Sequence, residues 1–183
     1  MNALQAEYLQ SEYPRVLLSA EQIKKRVQEM ARQISSDFKG KTTHVVGVME
    51  NGFMFMADLV RELDLKVVCQ FVRAKFKEAN SSTTEIFFSP ELDVKGQHVL
   101  LVEALVQSGV TSEFLIRNLV GRGAASVKLA VLLDKQSARR VSLQPDYFGF
   151  LMNESFVVGY GLGDRHFGRN LPYIAGRAAP VIP

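Results

Sequence analysis

The sequence predicts an α/β fold with a mostly parallel central sheet flanked by helices. Short apolar runs alternate along the chain with segments of helical period. The run at residues 99–102 has four consecutive apolar residues, which is typical of a central strand covered on both faces. Because strand and helix alternate repeatedly, the connections are expected to be right-handed crossovers between parallel strands.

The elements follow one another with short connections. Ser19 and Gln22 form a capping-box pattern that begins the first helix, and Gly40 ends it. An extended arm is expected at residues 13–18. Further strands are expected at residues 45–49, 67–72, 99–102 and 127–133, and further helices from about residue 53 to 63 and from residue 112 to about 122.

Three turns that follow these strands are expected to converge, at Glu50, Gln107 and Asp134. In open parallel sheets, ligands bind beyond the carboxyl ends of the strands. Residues 73–95 form the longest irregular segment, with a polar centre at residues 79–84. A loop of this length inside a compact domain is usually functional or disordered, and a lid over the site is the preferred interpretation.

Both ends of the chain are expected to form a small subdomain beside the sheet. Short aromatic strands are predicted at residues 147–151 and 156–160, and the last six residues have no period. The prediction is a single domain over residues 1–183, with a core at about 40–135 and a hood built from about 1–18 and 136–183. The tail is expected to fray.

Composition and charge narrow the class of protein. The 183 residues have a formal net charge of +3, which suits a phosphorylated ligand and does not require a nucleic acid. Cys69 is the only cysteine, so no intrachain disulfide can form. The chain has neither a signal-peptide pattern nor an apolar run long enough to span a membrane, so we expect a cytoplasmic protein without membrane contact.

A candidate phosphate-binding turn joins the strand at residues 99–102 to the next helix. Ser108, Gly109, Val110 and Thr111 supply a glycine, two hydroxyls and free backbone N–H groups at a helix N-terminus. The same four residues also fit an ordinary strand–turn–helix connection.

The stretch 103–111 resembles the ribose-phosphate loop of phosphoribosyltransferases, which has two acidic residues, two apolar ones and then Asp-Thr/Ser-Gly-x-Thr. Further segments in the right order are similar to bacterial hypoxanthine-guanine phosphoribosyltransferase: residues 46–49, 55–59, 132–135, 156–161 and 169–174. The resemblance covers about residues 16 to 174. It implies a type I phosphoribosyltransferase fold and transfer of ribose 5-phosphate from phosphoribosyl pyrophosphate to a purine, with magnesium. It also implies a homo-oligomer, either a dimer or a tetramer.

The resemblance assigns roles to residues of this chain. Lys135 matches the lysine that donates a hydrogen bond to a 6-oxo group. Phe156 matches the aromatic residue that stacks on the purine, and Val157 matches the position whose backbone forms hydrogen bonds with the edge of the base. Without the resemblance, Lys135 would be a solvated lysine and Phe156 a core residue. The phosphate groups are assigned to the turn from Ser108 to Thr111, to Arg169, and to the loop Glu50, Asn51 and Gly52.

Other positions differ from the family pattern. Glu103 keeps the first acid of the pair, whereas Ala104 replaces the second. Gln107 replaces the aspartate that exchanges a proton with the purine, and an amide cannot act as a general base. Gly163 stands where the family has a metal-coordinating aspartate, with Asp164 one residue later, so Glu103 and Asp164 are the candidate metal ligands.

Two differences concern the pyrophosphate group and the lid. Glu50 replaces the lysine of the pyrophosphate loop, which puts an anion beside the expected diphosphate. Residues 75–77 read Lys-Phe-Lys where the family has a serine–tyrosine pair.

These observations leave three hypotheses. The first is a protein that binds a purine 5′-mononucleotide, with phosphoribosyl transfer weak or absent and without a need for magnesium. The alternative is an active purine-salvage enzyme making IMP or GMP, in which Glu103 and Asp164 gather the metal and Gln107 positions the base. The third is a nucleic-acid-binding regulator, suggested only by the basic cluster Lys135, Arg139 and Arg140, which no aromatic residues accompany.

Overall fold

The structure is a computed structural model that describes residues 11–76, 84–88, 92–163 and 167–176, with the backbone alone at 74–76 and 84–88. The described residues form three α-helices: α1 (Ala20–Asp37), α2 (Phe53–Glu62) and α3 (Val110–Gly121). The strands are β1 (Arg15–Leu18), β2 (Thr42–Met49), β3 (Lys66–Phe76), β4 (Thr84–Phe88), β5 (His98–Val106), β6 (Ser126–Asp134), β7 (Tyr147–Leu151), β8 (Val157–Val158) and β9 (Ile174–Gly176).

The central sheet has six strands in the order β4-β3-β2-β5-β6-β7. Strands β3, β2, β5, β6 and β7 are parallel to one another, and β4 runs antiparallel to β3. A second, antiparallel sheet of three short strands has the order β1-β9-β8, so it joins the two ends of the chain. The predicted α/β class with a small hood is therefore confirmed.

The prediction that residues 147–151 belong to the hood is wrong. These residues form β7, which pairs in parallel with β6 at the edge of the central sheet. Side chains from α1 fix this strand: Arg26 donates to the carbonyls of Phe148 and Gly149 at 2.8 and 3.0 Å, and the Tyr147 hydroxyl donates to Asp37 at 2.8 Å. The hood therefore begins after β7, not directly after Lys135.

The two faces of the central sheet are covered by different helices. Helices α1 and α2 pack on one face, where α1 buries the stripe Ile23, Val27, Met30 and Ile34. Helix α3 covers the other face with Leu115 and Leu119. The predicted capping box begins α1, since the Gln22 amide donates to the Ser19 hydroxyl at 3.2 Å and the Ser19 amide donates to the Gln22 side chain at 2.8 Å.

Part of the expected lid is regular structure. Strand β3 continues to Phe76, and β4 returns beside it with Phe76 opposite Thr84. The prediction of an irregular segment over residues 73–95 is thus wrong for these two strands. Residues 77–83 and 89–91, together with the tail after residue 176, lie outside the described residues. No helix in the described part of the chain has the length and apolar character needed to cross a bilayer.

Candidate active site at the carboxyl ends of the strands

A cavity of about 580 Å³ opens at the carboxyl ends of β2, β3 and β5. The turn after β2 contributes Glu50 and Asn51 to its wall, and β3 contributes Arg73. The end of β5, the turn after it and the start of α3 contribute the residues Glu103, Ala104, Leu105, Val106, Gln107, Ser108, Gly109, Thr111 and Ser112. Arg169 closes the cavity from the hood side. The predicted convergence of the turns at Glu50 and Gln107 is therefore observed.

The candidate phosphate turn has the geometry of an anion-binding helix start. Gly109 is the N-cap of α3, has a φ of +79° and receives no side-chain cap. The Val110 amide lies 3.4 Å from the Ser108 hydroxyl oxygen, and the Val110 side chain points to solvent, outside the cavity lining. Since the first amides of a helix lack intrahelical acceptors, this turn can receive a phosphate group.

A buried ion pair supports this turn from below. Arg139 pairs with Asp134, whose side chain is only 1% exposed. The Arg139 side chain passes under Gly109, where a Cβ would come within 3.0 Å of the arginine Cδ. The Arg140 amide donates to the Ser108 carbonyl at 2.9 Å. The segment after β6 thus holds the phosphate turn in place.

Glu103 is a buried carboxyl group at the floor of the cavity. Its residue is 7% exposed, and its Oε1 atom has no hydrogen-bond partner among the described residues. Burial raises the pKa of Glu103 to about 7, against the opposing effects of a hydrogen bond with Ser112 and the charge of Arg139. Glu103 therefore changes charge near neutral pH.

The described residues do not fit a magnesium site. They contain no group of three or more histidine, cysteine, aspartate or glutamate side chains able to hold a metal ion. A hard dication prefers several ionised oxygen ligands, whereas Glu103 is a single buried carboxyl group near the Arg139 charge. Asp164, the other expected ligand, lies outside the described residues.

A second cavity of about 130 Å³ adjoins the first and shares Asn51, Leu105 and Gln107 with it. The three residues assigned to the purine, Lys135, Phe156 and Val157, all line this second cavity. The Lys135 ammonium donates to the Glu154 carbonyl at 2.8 Å. The Phe156 ring is 40% exposed and lies 6.2 Å from the Tyr13 ring, so Phe156 is not a core residue.

The turn after β2 is engaged by two arginines. Arg73 forms an ion pair with Glu50 Oε1, and Arg169 Nη2 lies 3.8 Å from Glu50 Oε2. Arg169 Nη1 also donates to Asn51 Oδ1 at 2.6 Å and to the Gly161 carbonyl at 2.7 Å. Gly52 is buried behind this turn and does not line the cavity. A Cβ at this position would lie 2.7 Å from the Val48 carbonyl oxygen.

Comparison with known proteins identifies the family. Residues 16–165 match the phosphoribosyl transferase domain family. The hypoxanthine-guanine phosphoribosyltransferase of Bacillus subtilis is 34% identical over 171 residues, which are 92% of this chain and 94% of that protein. This chain belongs to the hypoxanthine-guanine phosphoribosyltransferase family.

Two further relatives show the fold and the length of family members. A crystal structure of a hypoxanthine phosphoribosyltransferase from Staphylococcus aureus has a TM-score of 0.88 and 29% identity, covering 97% of this chain and 96% of that one. A bifunctional TilS/HprT protein of Listeria innocua is 34% identical over 92% of this chain. The chain spans only about a quarter of that longer relative, since the match covers 26% of it.

Two residues near this site were not assigned to it from the sequence, although Arg139 was noted as part of a basic cluster. Arg73 lines the larger cavity, and Arg139, with a side chain 13% exposed, lies beneath the phosphate turn. The register of β3 on β2, which places Arg73 opposite Met49, brings the Arg73 side chain to the turn at Glu50. A search of the carboxyl end of every parallel strand would have found Arg73, whereas nothing in the sequence distinguishes Arg139 from Arg140.

Proposed function

We propose that this chain transfers a phosphoribosyl group from phosphoribosyl pyrophosphate to hypoxanthine or guanine, with slow turnover. The observation that carries the proposal is the pair of adjoining cavities, one beside an anion-binding turn and the other lined by Lys135 and Phe156. Their shared wall at Gln107 is where a ribose carbon and a purine nitrogen would meet. Family membership supports this activity over the binding-only hypothesis.

The smaller cavity suits a 6-oxopurine. The Lys135 ammonium, now donating to the Glu154 carbonyl, has further donors that can face an exocyclic oxygen of the base. The exposed ring of Phe156 offers a face for stacking, and the backbone of Val157 offers polar groups to the base edge. Lys135 and Phe156 are thus the proposed base-binding residues.

The larger cavity suits the phosphoribosyl group. The turn from Ser108 to Thr111 at the start of α3 would hold the 5′-phosphate through its backbone amides and the positive end of the helix dipole. Arg169 would contact the pyrophosphate group, because a guanidinium matches paired phosphate oxygens. Glu103, at the cavity floor, would accept from a ribose hydroxyl.

Turnover is expected to be slow because of Gln107. The Gln107 amide can donate to or accept from a purine nitrogen, but it cannot take up a proton. General-base catalysis typically contributes about a hundred- to ten-thousand-fold in rate, so an enzyme with an amide here loses a factor of this order. No step of the proposed transfer is assigned to a metal held by the described residues.

A second candidate function is the binding of a purine 5′-mononucleotide without transfer. Gln107 and Ala104 favour it, because neither side chain supplies a charge to the reaction centre although both line the cavity. Both candidates use the same two cavities, and they differ only in whether product forms.

One experiment separates the two candidates. The protein is titrated with GMP and with IMP by calorimetry, with and without magnesium, and the same sample is assayed for GMP formation from guanine and phosphoribosyl pyrophosphate. Slow formation of GMP supports transfer, whereas GMP binding without product supports the second candidate.

A matched pair of lysine variants tests whether the smaller cavity binds the purine base. Lys135→Met is expected to weaken GMP binding about ten- to a hundred-fold, as expected for loss of a hydrogen bond from a charged donor. Lys128→Met removes the same charge at an exposed pair with Asp146 and is expected to leave binding unchanged. Equal effects of both variants would contradict the assignment of Lys135.

Assembly into a dimer or tetramer is also proposed, by family resemblance alone. Within the apolar start of α2, Phe55 and Met56 are buried in the core, and Phe53 is 37% exposed. Light scattering of the purified chain tests the proposal, and a monomer at micromolar concentration would overturn it.

A further inference from the structure

A glutamate lies between two arginines at the mouth of the larger cavity. Glu50 Oε1 pairs with Arg73, and Glu50 Oε2 lies 3.8 Å from Arg169 Nη2. All three residues line the cavity. The carboxylate therefore sits where it neutralises part of the positive charge that the cavity offers to an anion.

The three side chains come from three separate elements. Glu50 follows β2, Arg73 lies on β3 opposite Met49, and Arg169 reaches over from the hood. Hydrogen bonds to Asn51 Oδ1 and the Gly161 carbonyl hold the Arg169 guanidinium in place. The glutamate and both arginines are accessible from the cavity, with side-chain exposures of 55%, 52% and 33% for Glu50, Arg73 and Arg169.

We infer that Glu50 is a specificity-determining residue that weakens the affinity of the site for pyrophosphate groups and leaves its affinity for mononucleotides unchanged. The inference rests on the proposed function, because it concerns the same site. A pyrophosphate group that approaches Arg73 and Arg169 must compete with the Glu50 carboxylate, which pairs with Arg73 and lies 3.8 Å from Arg169 Nη2. The Glu50 carboxylate thus competes with a pyrophosphate group for the two arginines.

The charges explain why the competition disfavours pyrophosphate. The guanidinium groups of Arg73 and Arg169 match paired phosphate oxygens, so each would bind pyrophosphate if it were free. With Glu50 in place, the three side chains carry a net charge of only +1. An incoming polyanion is also repelled by the negative charge of the Glu50 carboxylate. Because the groups are half exposed, solvent and salt reduce this effect without removing it.

A mononucleotide leaves this cluster untouched. Its phosphate is proposed to lie at the turn Ser108 to Thr111, and its base in the smaller cavity, which Glu50 does not line. The affinity for GMP is therefore expected to be independent of residue 50, whereas the affinity for pyrophosphate is expected to depend on it.

The test is a pair of calorimetric titrations, one with inorganic pyrophosphate and one with GMP, each carried out in buffer containing EDTA and again in buffer containing magnesium. Glu50→Gln keeps the shape of the side chain and removes its charge. We expect this variant to bind pyrophosphate about ten-fold more tightly than the wild type and GMP equally well. In the double variant Glu50→Gln/Arg73→Gln, most of the gain in pyrophosphate affinity is expected to disappear, because the arginine that paired with Glu50 is absent.

The matched control is Glu29→Gln, which removes the same charge from the pair with Arg26 on α1. Residues of α1 do not line the larger cavity. We expect its affinity for pyrophosphate to equal that of the wild type. An equal gain in Glu29→Gln would overturn the inference, since the effect would then come from net charge alone.

Three further outcomes would also overturn the inference. In the first, Glu50→Gln binds pyrophosphate with the affinity of the wild type, and in the second its affinity for GMP rises as much as its affinity for pyrophosphate. In the third, pyrophosphate binding needs magnesium and is weakened by Glu50→Gln. The last result would make Glu50 a metal ligand. Failure of the proposed function is a separate result, because it would appear as absent GMP binding and absent turnover in the wild type, whatever residue 50 does to pyrophosphate.

Discussion

The side chain of Arg169 crosses Gly163 so closely that a Cβ on the glycine would lie 2.6 Å from the arginine Cγ and 3.1 Å from its Nε. The same Cβ would lie 2.9 Å from the Phe167 carbonyl oxygen. In the observed position, in which Arg169 contacts Asn51 and Gly161, its side chain occupies space that a Cβ at position 163 would need. A carboxylate at this position, as in the family pattern, would need the arginine to move.

The first prediction concerns this contact. Gly163→Ala is expected to displace Arg169 and weaken pyrophosphate binding about ten-fold, because the guanidinium loses its anchored position. The crowding is also expected to lower the free energy of unfolding by about 1–3 kcal/mol. Calorimetry and urea unfolding measure the two effects.

The control for this prediction is Gly121→Ala at the end of α3, where a Cβ would meet no atom within 4 Å. Its pyrophosphate affinity should match that of the wild type. If Gly163→Ala also binds pyrophosphate like the wild type, Arg169 does not depend on the space above the glycine.

The second prediction concerns the missing general base. Gln107→Asp places a carboxylate at the junction of the two cavities, and we expect it to raise kcat for GMP formation about a hundred-fold or more. Gln107→Asn has the same shape as the aspartate variant but no base, so its kcat should not rise. Steady-state kinetics of both variants test the assignment, and equal rates in the two would contradict it.

The third prediction follows from the pKa of Glu103, which burial raises to about 7 from an ordinary value of 4.5. Because the folded state binds this proton more tightly, the protonated carboxyl stabilises the fold below about pH 4.5, and this contribution is lost as the pH rises through 7. At about 1.4 kcal/mol for each pKa unit, Glu103→Gln should be more stable than the wild type by roughly 3–4 kcal/mol at pH 8.

Urea unfolding at pH 4.5 and pH 8 measures this difference, which should nearly vanish at the lower pH. Glu113→Gln on α3 is the control, since the Glu113 side chain is 33% exposed and paired with Arg117. A difference between Glu103→Gln and the wild type that does not change with pH would show that the carboxyl does not titrate as expected.

The fourth prediction concerns the ion pair beneath the phosphate turn. Arg139→Met leaves Asp134 buried without its counter-ion and is expected to lower the free energy of unfolding by about 3–5 kcal/mol. Arg140→Met changes an exposed neighbour and should cost little. Adding Asp134→Asn to Arg139→Met should restore part of the loss, and a loss below about 1 kcal/mol in the single variant would contradict the account.

Much of the fold and several site residues could be predicted because their signals are local. A few consecutive residues determine each of these signals: the apolar periods of the strands and helices, the capping box at Ser19 and the turn at Gly109. The composition of residues 147–151 fits an edge strand of either sheet, so only the contacts with Arg26 and Asp37 decide its position.

The remaining site features depend on distant parts of the chain. Glu50 meets Arg73 through the register of two parallel strands and meets Arg169 across more than a hundred residues. The raised pKa of Glu103 depends on its burial at the floor of the cavity, which no local sequence pattern indicates. These contacts determine the charge distribution of the site, and they could not be predicted because they join residues that are far apart in the sequence.

Phosphoribosyl transfer is tested by an assay of GMP formation from guanine and phosphoribosyl pyrophosphate, with wild type and Gln107→Asp measured side by side. We expect slow product formation by the wild type, faster formation by Gln107→Asp, and a decrease in both rates when Lys135→Met is added. Absence of product from both proteins, despite GMP binding, would contradict phosphoribosyl transfer and leave mononucleotide binding as the function of the site.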